Sequence, residues 1–223
     1  MDAPLINETV KVPTDGNSAI KANNICQDCS LCCDGSLFSY VGITAHEVPS
    51  FKTNNIDLKE DKNGNFALHQ SCPKLIDSQC SIYRTRPNKC SGYYCGLAKN
   101  VLNESISFED AKSIIGQMKQ RIDWLKNRID TMFHPPQEKE VNLRDFLYIY
   151  YNKASEISAQ KSLSGPDQDF IKQAFEYAKL VDRYFMKTKL LVKYTILVQK
   201  MQLKPAPSQD TNPHIKVITK VCG

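Results

Sequence analysis

A chain of 223 residues, 41% of them hydrophobic, has material for one substantial domain or for a small domain joined to a second, which argues against global disorder. No stretch approaches the roughly 20 apolar residues of a membrane span, and the opening MDAPLINETVKVPTDGN lacks the basic and apolar regions of a secretion signal, so a soluble, cytoplasmic chain is expected. The formal charge of +5 lies wholly in residues 101–223, scattered along helix-like stretches, and binding nucleic acid needs a concentrated basic face; neither nucleic acid nor membrane is expected as a partner.

Taken in chain order, residues 1–23 are expected as a flexible N-terminal segment and residues 24–100 as a cysteine-rich domain of short elements. Residues 36–43 suit a strand, and Thr44 with Glu47 can cap a short helix. Asn63-Gly64 signals a turn, and Cys80-Ser-Ile-Tyr83 sits like a strand edge before Arg86-Pro87. Cysteine density falls after Cys95, and a helical domain is expected over residues 101–203.

Ser107 and Asp110 approximate a capping box, after which Ile115, Met118, Ile122, Leu125, Ile129 and Met132 recur at spacings of three and four, one apolar seam on one long helix. His134-Pro135-Pro136 should end it, and Asn142 should cap a second helix with Leu143, Phe146, Leu147, Tyr150, Ala154 and Ile157 on one face. Gly165-Pro166 opens a third, continued by Phe170, Ala174, Tyr177, Val181 and Tyr184. Residues 190–203 mix β-branched residues with leucine and are read as helix, either an extension of the third or separate from it, with a strand as the competing reading. Residues 204–223 read as a proline-rich linker and tail ending near Cys222. The predicted architecture is α+β, a small cysteine-rich domain with short strands and helices followed by an α-helical bundle.

The chemistry of the sequence lies in its thiols. Cys26, Cys29, Cys32 and Cys33 form a CxxCxxCC run, and Cys72, Cys80, Cys90 and Cys95 follow within a short stretch. A two-residue spacer lets two thiolates reach one ion, and in a reducing compartment clustered thiols are more often ligands than disulfides. Adjacent Cys32 and Cys33 point to opposite sides of an extended chain, so they share an ion only if the backbone bends, and otherwise serve different sites. Eight thiolates can make two four-cysteine sites, one four-cysteine cluster with spare thiols, or a polynuclear centre with bridging sulfurs, and the spacing alone does not divide them. All eight are metal-ligand candidates, for zinc or for an iron–sulfur cluster. His46 and His69 are read as ordinary surface histidines, His69 being the better substitute ligand because it precedes Cys72 by three residues. Arg84, Arg86 and Lys89 can offset thiolate charge, and Tyr83, Tyr93 and Tyr94 can shield a site from water.

The CxxCxxCC run, the Cys72-Pro73 step with Leu75, the Cys80-Ser-Ile-Tyr83 segment, Arg86-Pro87, Cys90 and Tyr94-Cys95 resemble the CxxCxxCC (YkgJ) family of zinc- or iron-chelating domains over residues 24–98. Flagellin lysine N-methylase, which is associated with an iron–sulfur cluster, looks like a member of that group. The resemblance implies cluster binding, of the 4Fe-4S kind, and a protein or peptide substrate for a modification such as lysine methylation. Against an enzyme with a bound methyl donor, no G-x-G-x-x-G loop is present, and no hydrolase motif either, so catalytic residues stay unassigned. The competing readings are a zinc-stabilised interaction module without catalysis and, less favoured, a thiol redox sensor using the Cys32-Cys33 pair.

Overall fold

The computed structural model describes residues 16–133 and 142–203. The expected Pro-Pro break, the linker, and the tail with Cys222 lie outside these. The architecture is α+β, and the chain divides into two compact units, the first ending at Ile115 and the second beginning at Gly116. None of the described helices is long and apolar enough to cross a membrane.

The first unit opens with a helix, α1 (Gly16–Cys29), that reaches back into the segment expected to be flexible. Ala22 and Ile25 explain it: both are buried at helical spacing, and α1 packs against α4 (Gly96–Leu102), whose Leu97, Ala98, Val101 and Leu102 are buried in turn. Each fully buried apolar side chain of this kind stabilises by about 1.5–3 kcal/mol.

A three-stranded antiparallel sheet of order β1-β3-β2 follows, built from β1 (Tyr40–Ile43), β2 (Lys59–Glu60) and β3 (Phe66–His69). The strand expected over residues 36–43 is shorter than that. Its first half is consumed by a turn in which Gly35 takes φ +83 and the Asp34 carboxylate accepts from both the Ser36 amide, at 2.8 Å, and the Ser36 hydroxyl, at 2.9 Å. Glu47 accepts from the Thr44 amide and hydroxyl just before the short helix α2 (Val48–Thr53), as the sequence suggested. Asn63-Gly64 does form the β2–β3 turn, with Gly64 at φ +78 and Asp61 accepting from the amides of Asn63 and Asn65. Ile43, Val48, Phe51, Ile56 and Leu68 make a small core under this sheet, and Cys72 and Cys90 pack against its rim.

Next comes a minimal hairpin, β4 (Leu75–Ile76) and β5 (Gln79–Cys80), with Leu75 opposite Cys80. Its two turn residues, Asp77 and Ser78, both have positive φ, the conformation that matches the twist of a two-residue hairpin. The strand edge expected over residues 80–83 ends at Cys80, because the chain turns at once: the Tyr83 amide donates to the Cys80 carbonyl and the Thr85 amide to the Ile82 carbonyl. The short helix α3 (Asn88–Ser91) then leads to α4.

The long helix α5 (Phe108–Phe133) starts at the Ser107 cap, where the Asp110 amide donates to the Ser107 hydroxyl at 3.0 Å. In the second unit its seam of Met118, Ile122, Leu125 and Ile129 is buried as the periodicity predicts. Helix α6 (Leu143–Gln160) is capped by Asn142, and α7 (Gly165–Leu180) by Ser164. A π-helical turn (Val181–Phe185) and a short break separate α7 from α8 (Lys189–Leu203), so residues 190–203 form a helix of their own and not an extension of the third. The break is held by Asp182, which accepts from the Thr188 amide and from Lys187 Nζ, while Thr188 Oγ1 accepts from the Leu190 amide at the start of α8. Leu190, Tyr194 and Leu197 turn one buried stripe of α8 inward, and α8 packs on both α6 and α7. Its anchor is the Tyr194 hydroxyl, which donates to the Leu147 carbonyl at 2.9 Å.

Candidate metal centres

The local folds around the cysteines differ, and each has a legible cause. Cys26 and Cys29 lie three residues apart in the last turn of α1 and so share a face. Ser30, in the left-handed conformation at φ +60, ends that helix; its carbonyl then accepts from the amides of both Cys33 and Asp34. The chain bends here, but Cys32 and Cys33 still face different sets of thiols, the second of the two readings that their adjacency left open. Cys72 stands at the entry to the β4–β5 hairpin, and its sulfur accepts from the amides of Lys74 and Leu75. Cys80 lies on β5, Cys90 on α3, and Cys95 stands at the N-cap position of α4 without a side-chain capping bond, the nearby amides of Leu97 and Ala98 favouring its thiolate.

Mutual electrostatics sorts these thiols into two groups. Cys32 feels Cys95, Cys29, its chain neighbour Cys33 and Cys26, and Cys26 feels Cys95; the pair of adjacent residues Cys32 and Cys33 is the one interaction among these that crosses between the groups. Cys33 feels Cys72, Cys90 and Cys80, Cys90 feels Cys72 and Cys80, and Cys72 feels Cys80. The first quartet is therefore Cys26, Cys29, Cys32 and Cys95, and the second is Cys33, Cys72, Cys80 and Cys90. They meet at the Cys32–Cys33 peptide, and the Cys72 amide donates to the Cys33 carbonyl at 2.8 Å, tying the second quartet to the same bend. None of the eight is in a disulfide.

Burial dominates the acid–base behaviour of the thiols. It pushes Cys26 and Cys33 up to about 12 and Cys90 to about 11, with neighbouring thiols adding to the rise. Cys32 is raised by the same causes, burial first. Burial also raises Cys72 and Cys95, against the amide hydrogen bonds to their sulfurs, which favour thiolate. Without a cation the chain keeps protons on these sulfurs at neutral pH, and a metal that binds there must displace them.

Among the described residues, no three His, Cys, Asp or Glu side chains stand close enough to hold an ion as they are placed. The fold thus supplies two groupings of donors, not two finished coordination shells. Their chemistry fits zinc or an iron–sulfur cluster, since each group offers four sulfurs and nearby backbone amides favour the thiolate form of Cys72 and Cys95.

The other residues singled out from sequence divide unevenly. Arg86 acts on both groups, lowering Cys26 and Cys90, and its guanidinium lies 3.9 Å from the centre of the Tyr83 ring. Tyr83 donates to the Asn23 carbonyl at 2.7 Å and Tyr94 to the Asn23 side chain at 3.2 Å, so both tyrosines brace α1 one turn before Cys26. Tyr93 lies by Cys32, Cys95 and Cys26 and packs edge-on against Phe38; burial first, then those thiols, raise its phenol. Lys89 and His46 act instead on Glu47, whose carboxyl burial pushes up but whose bonds to Thr44 and these two charges hold below the usual range. His69 is exposed and packs against Tyr40 across β1 and β3. Arg84 is exposed. Sequence reasoning missed Lys74 and Lys99, the cations beside Cys72 and Cys95. Their position two and four residues after a cysteine was the only available signal.

No protein-family model, curated protein or solved structure matches this chain.

Proposed function

We propose that this chain is a metalloprotein with two four-cysteine centres, Cys26/Cys29/Cys32/Cys95 and Cys33/Cys72/Cys80/Cys90, in its N-terminal unit. The observation that carries the reading is that the thiols of the 26–33 run divide between partners that return later in the chain, Cys95 beside Cys26 and Cys32, and Cys72, Cys80 and Cys90 beside Cys33, with the two groups adjoining at Cys32 and Cys33. Iron–sulfur occupancy is the first reading, resting on the resemblance to the CxxCxxCC family, and with it a role in modifying a protein or peptide, lysine N-methylation being the example that the resemblance offers. A cluster held here would supply one-electron chemistry. The residues of the chain then position and insulate it: amide donors from α4 and the β4–β5 hairpin set the sulfurs, and Tyr93 with Phe38 keeps water from the first quartet.

The second reading is a zinc-stabilised interaction module without catalysis. It is favoured by the completeness of each quartet, since four thiolates leave a zinc ion no open position for substrate. Elemental analysis and a visible spectrum of protein purified without oxygen separate the two. Iron with inorganic sulfide and a brown absorption supports the first, and peptide modification is then assayed directly. Zinc alone, at two per chain, supports the second; absence of any metal from freshly purified protein and from protein reconstituted with either overturns both.

A further inference from the structure

Positive charge reaches the two quartets in two ways, from lysines that serve one quartet each and from one arginine that serves both. Lys99 acts on the first through Cys95, and Lys74 on the second through Cys72. Each quartet thus has a cation of its own. Arg86 belongs to both, and its place is fixed by geometry from two sides. On one side the guanidinium lies on the Tyr83 ring, at 3.9 Å from its centre, and the Tyr83 hydroxyl is bonded to α1 at Asn23, one turn before Cys26. On the other side Arg86 is followed directly by Pro87, whose carbonyl accepts from the amide of Cys90 at 2.9 Å. A stacked guanidinium is planar, permanently charged and held by its ring, so it cannot swing to serve one quartet at a time.

Four thiolates around one divalent ion leave an excess of negative charge, and here two such centres would adjoin through the peptide between Cys32 and Cys33. Loading one centre therefore opposes loading the other unless a cation is held between them. We propose that Arg86 is that shared cation, the positioning residue that allows both four-cysteine centres to carry metal at once. The inference rests on the two-centre reading above and adds to it the residue on which double occupancy depends.

The test is a titration of the full, metal-free chain with Co(II), followed by native mass spectrometry for the number of ions per chain and by the visible bands of cobalt tetrathiolate. The wild-type chain should go to two ions, with little one-ion species remaining at two equivalents. Arg86→Gln should bind the first ion with nearly unchanged affinity and the second more weakly, on the order of tenfold, so that a one-ion species persists. Arg86→Lys should recover much of the second affinity, which a purely structural defect would not, and added salt should narrow the gap between Gln and wild type. Lys74→Gln and Lys99→Gln should each weaken one centre only.

The proposal is overturned if Arg86→Gln fills both centres as the wild type does, or if Lys at this position behaves like Gln. A wild-type chain that binds two ions with this outcome leaves the two-centre reading standing and removes only the role of Arg86. A wild-type chain that binds no cobalt at all removes both.

Discussion

The helical unit and the cysteine unit solve the same problem by different means. From Gly116 onward, α5 to α8 bury long apolar stripes, and the interior is completed by aromatic side chains: Tyr150 lies against Phe146 and Phe170, with ring centres 6.1 and 4.5 Å away. Among the described elements of the first unit before α5, only α1 has comparable length, 14 residues against 15 for α8. The sheet core of that unit is five buried side chains with two cysteines at the rim, and its hairpin has two-residue strands. A helix long enough to bury a stripe stabilises itself through its neighbours, whereas short irregular segments need a cross-link, which the two thiol quartets would provide.

The sharpest way to break this comparison is to withdraw metal. Structural zinc contributes on the order of 10–16 kcal/mol to the folding of small thiolate domains, so stripping all metal should abolish amide protection in residues 16–102, and replacing Cys33 and Cys72 together by serine should abolish it in residues 72–91, which carry the rest of the second quartet. Helices α6 to α8 should keep theirs. Hydrogen exchange read by mass spectrometry checks this, and equal protection of the first unit with and without metal would contradict it.

The complementary change is Leu125→Ala on the buried seam of α5. It should cost about 2–5 kcal/mol in denaturant melts of the helical unit while metal content per chain stays the same. A smaller effect is expected from Tyr150→Phe. The Tyr150 hydroxyl donates to Asp167 Oδ1 at 2.8 Å, and Asp167 is itself buried beside the Ser164 cap, its other oxygen accepting from the Ser164 hydroxyl. Leaving that oxygen without its donor should cost about 1–3 kcal/mol, measured as a shift in the midpoint of unfolding, and a neutral result would mean that the carboxylate is wetter than its burial implies.

The difference between the units also decides what the sequence could disclose. Ile115 to Ile129, Leu143 to Ala154 and Phe170 to Val181 repeat at helical spacing because a stripe must face a partner over many turns, and that repetition is visible without coordinates. From residue 20 onward helix α1 buries Ala22, Ile25 and Cys29, too short a pattern beside so many polar residues to stand out. The break after Phe185 was hidden because it is made by side chain to backbone bonds of Asp182 and Thr188 and not by Gly or Pro. At the thiols, the ligand candidates were legible one by one, as was the alternative that adjacent Cys32 and Cys33 serve different sites. Their division was not, since it depends on where Cys95 and Cys72 return in space. The same holds for the charges: of Arg84, Arg86 and Lys89, only Arg86 reaches the thiols whose neighbours are resolved, through its ring contact with Tyr83.

The most direct test of the central claim is metal content per chain, by native mass spectrometry with elemental analysis, for the wild type beside Cys29→Ser/Cys32→Ser and Cys72→Ser/Cys90→Ser. The two-centre account predicts two occupied centres in the wild type and the loss of one in each double variant, with the other retained. It is contradicted if one double variant loses all the metal while the other loses none, which is the signature of a single centre with spare thiols, or if the wild-type chain takes up no metal at all.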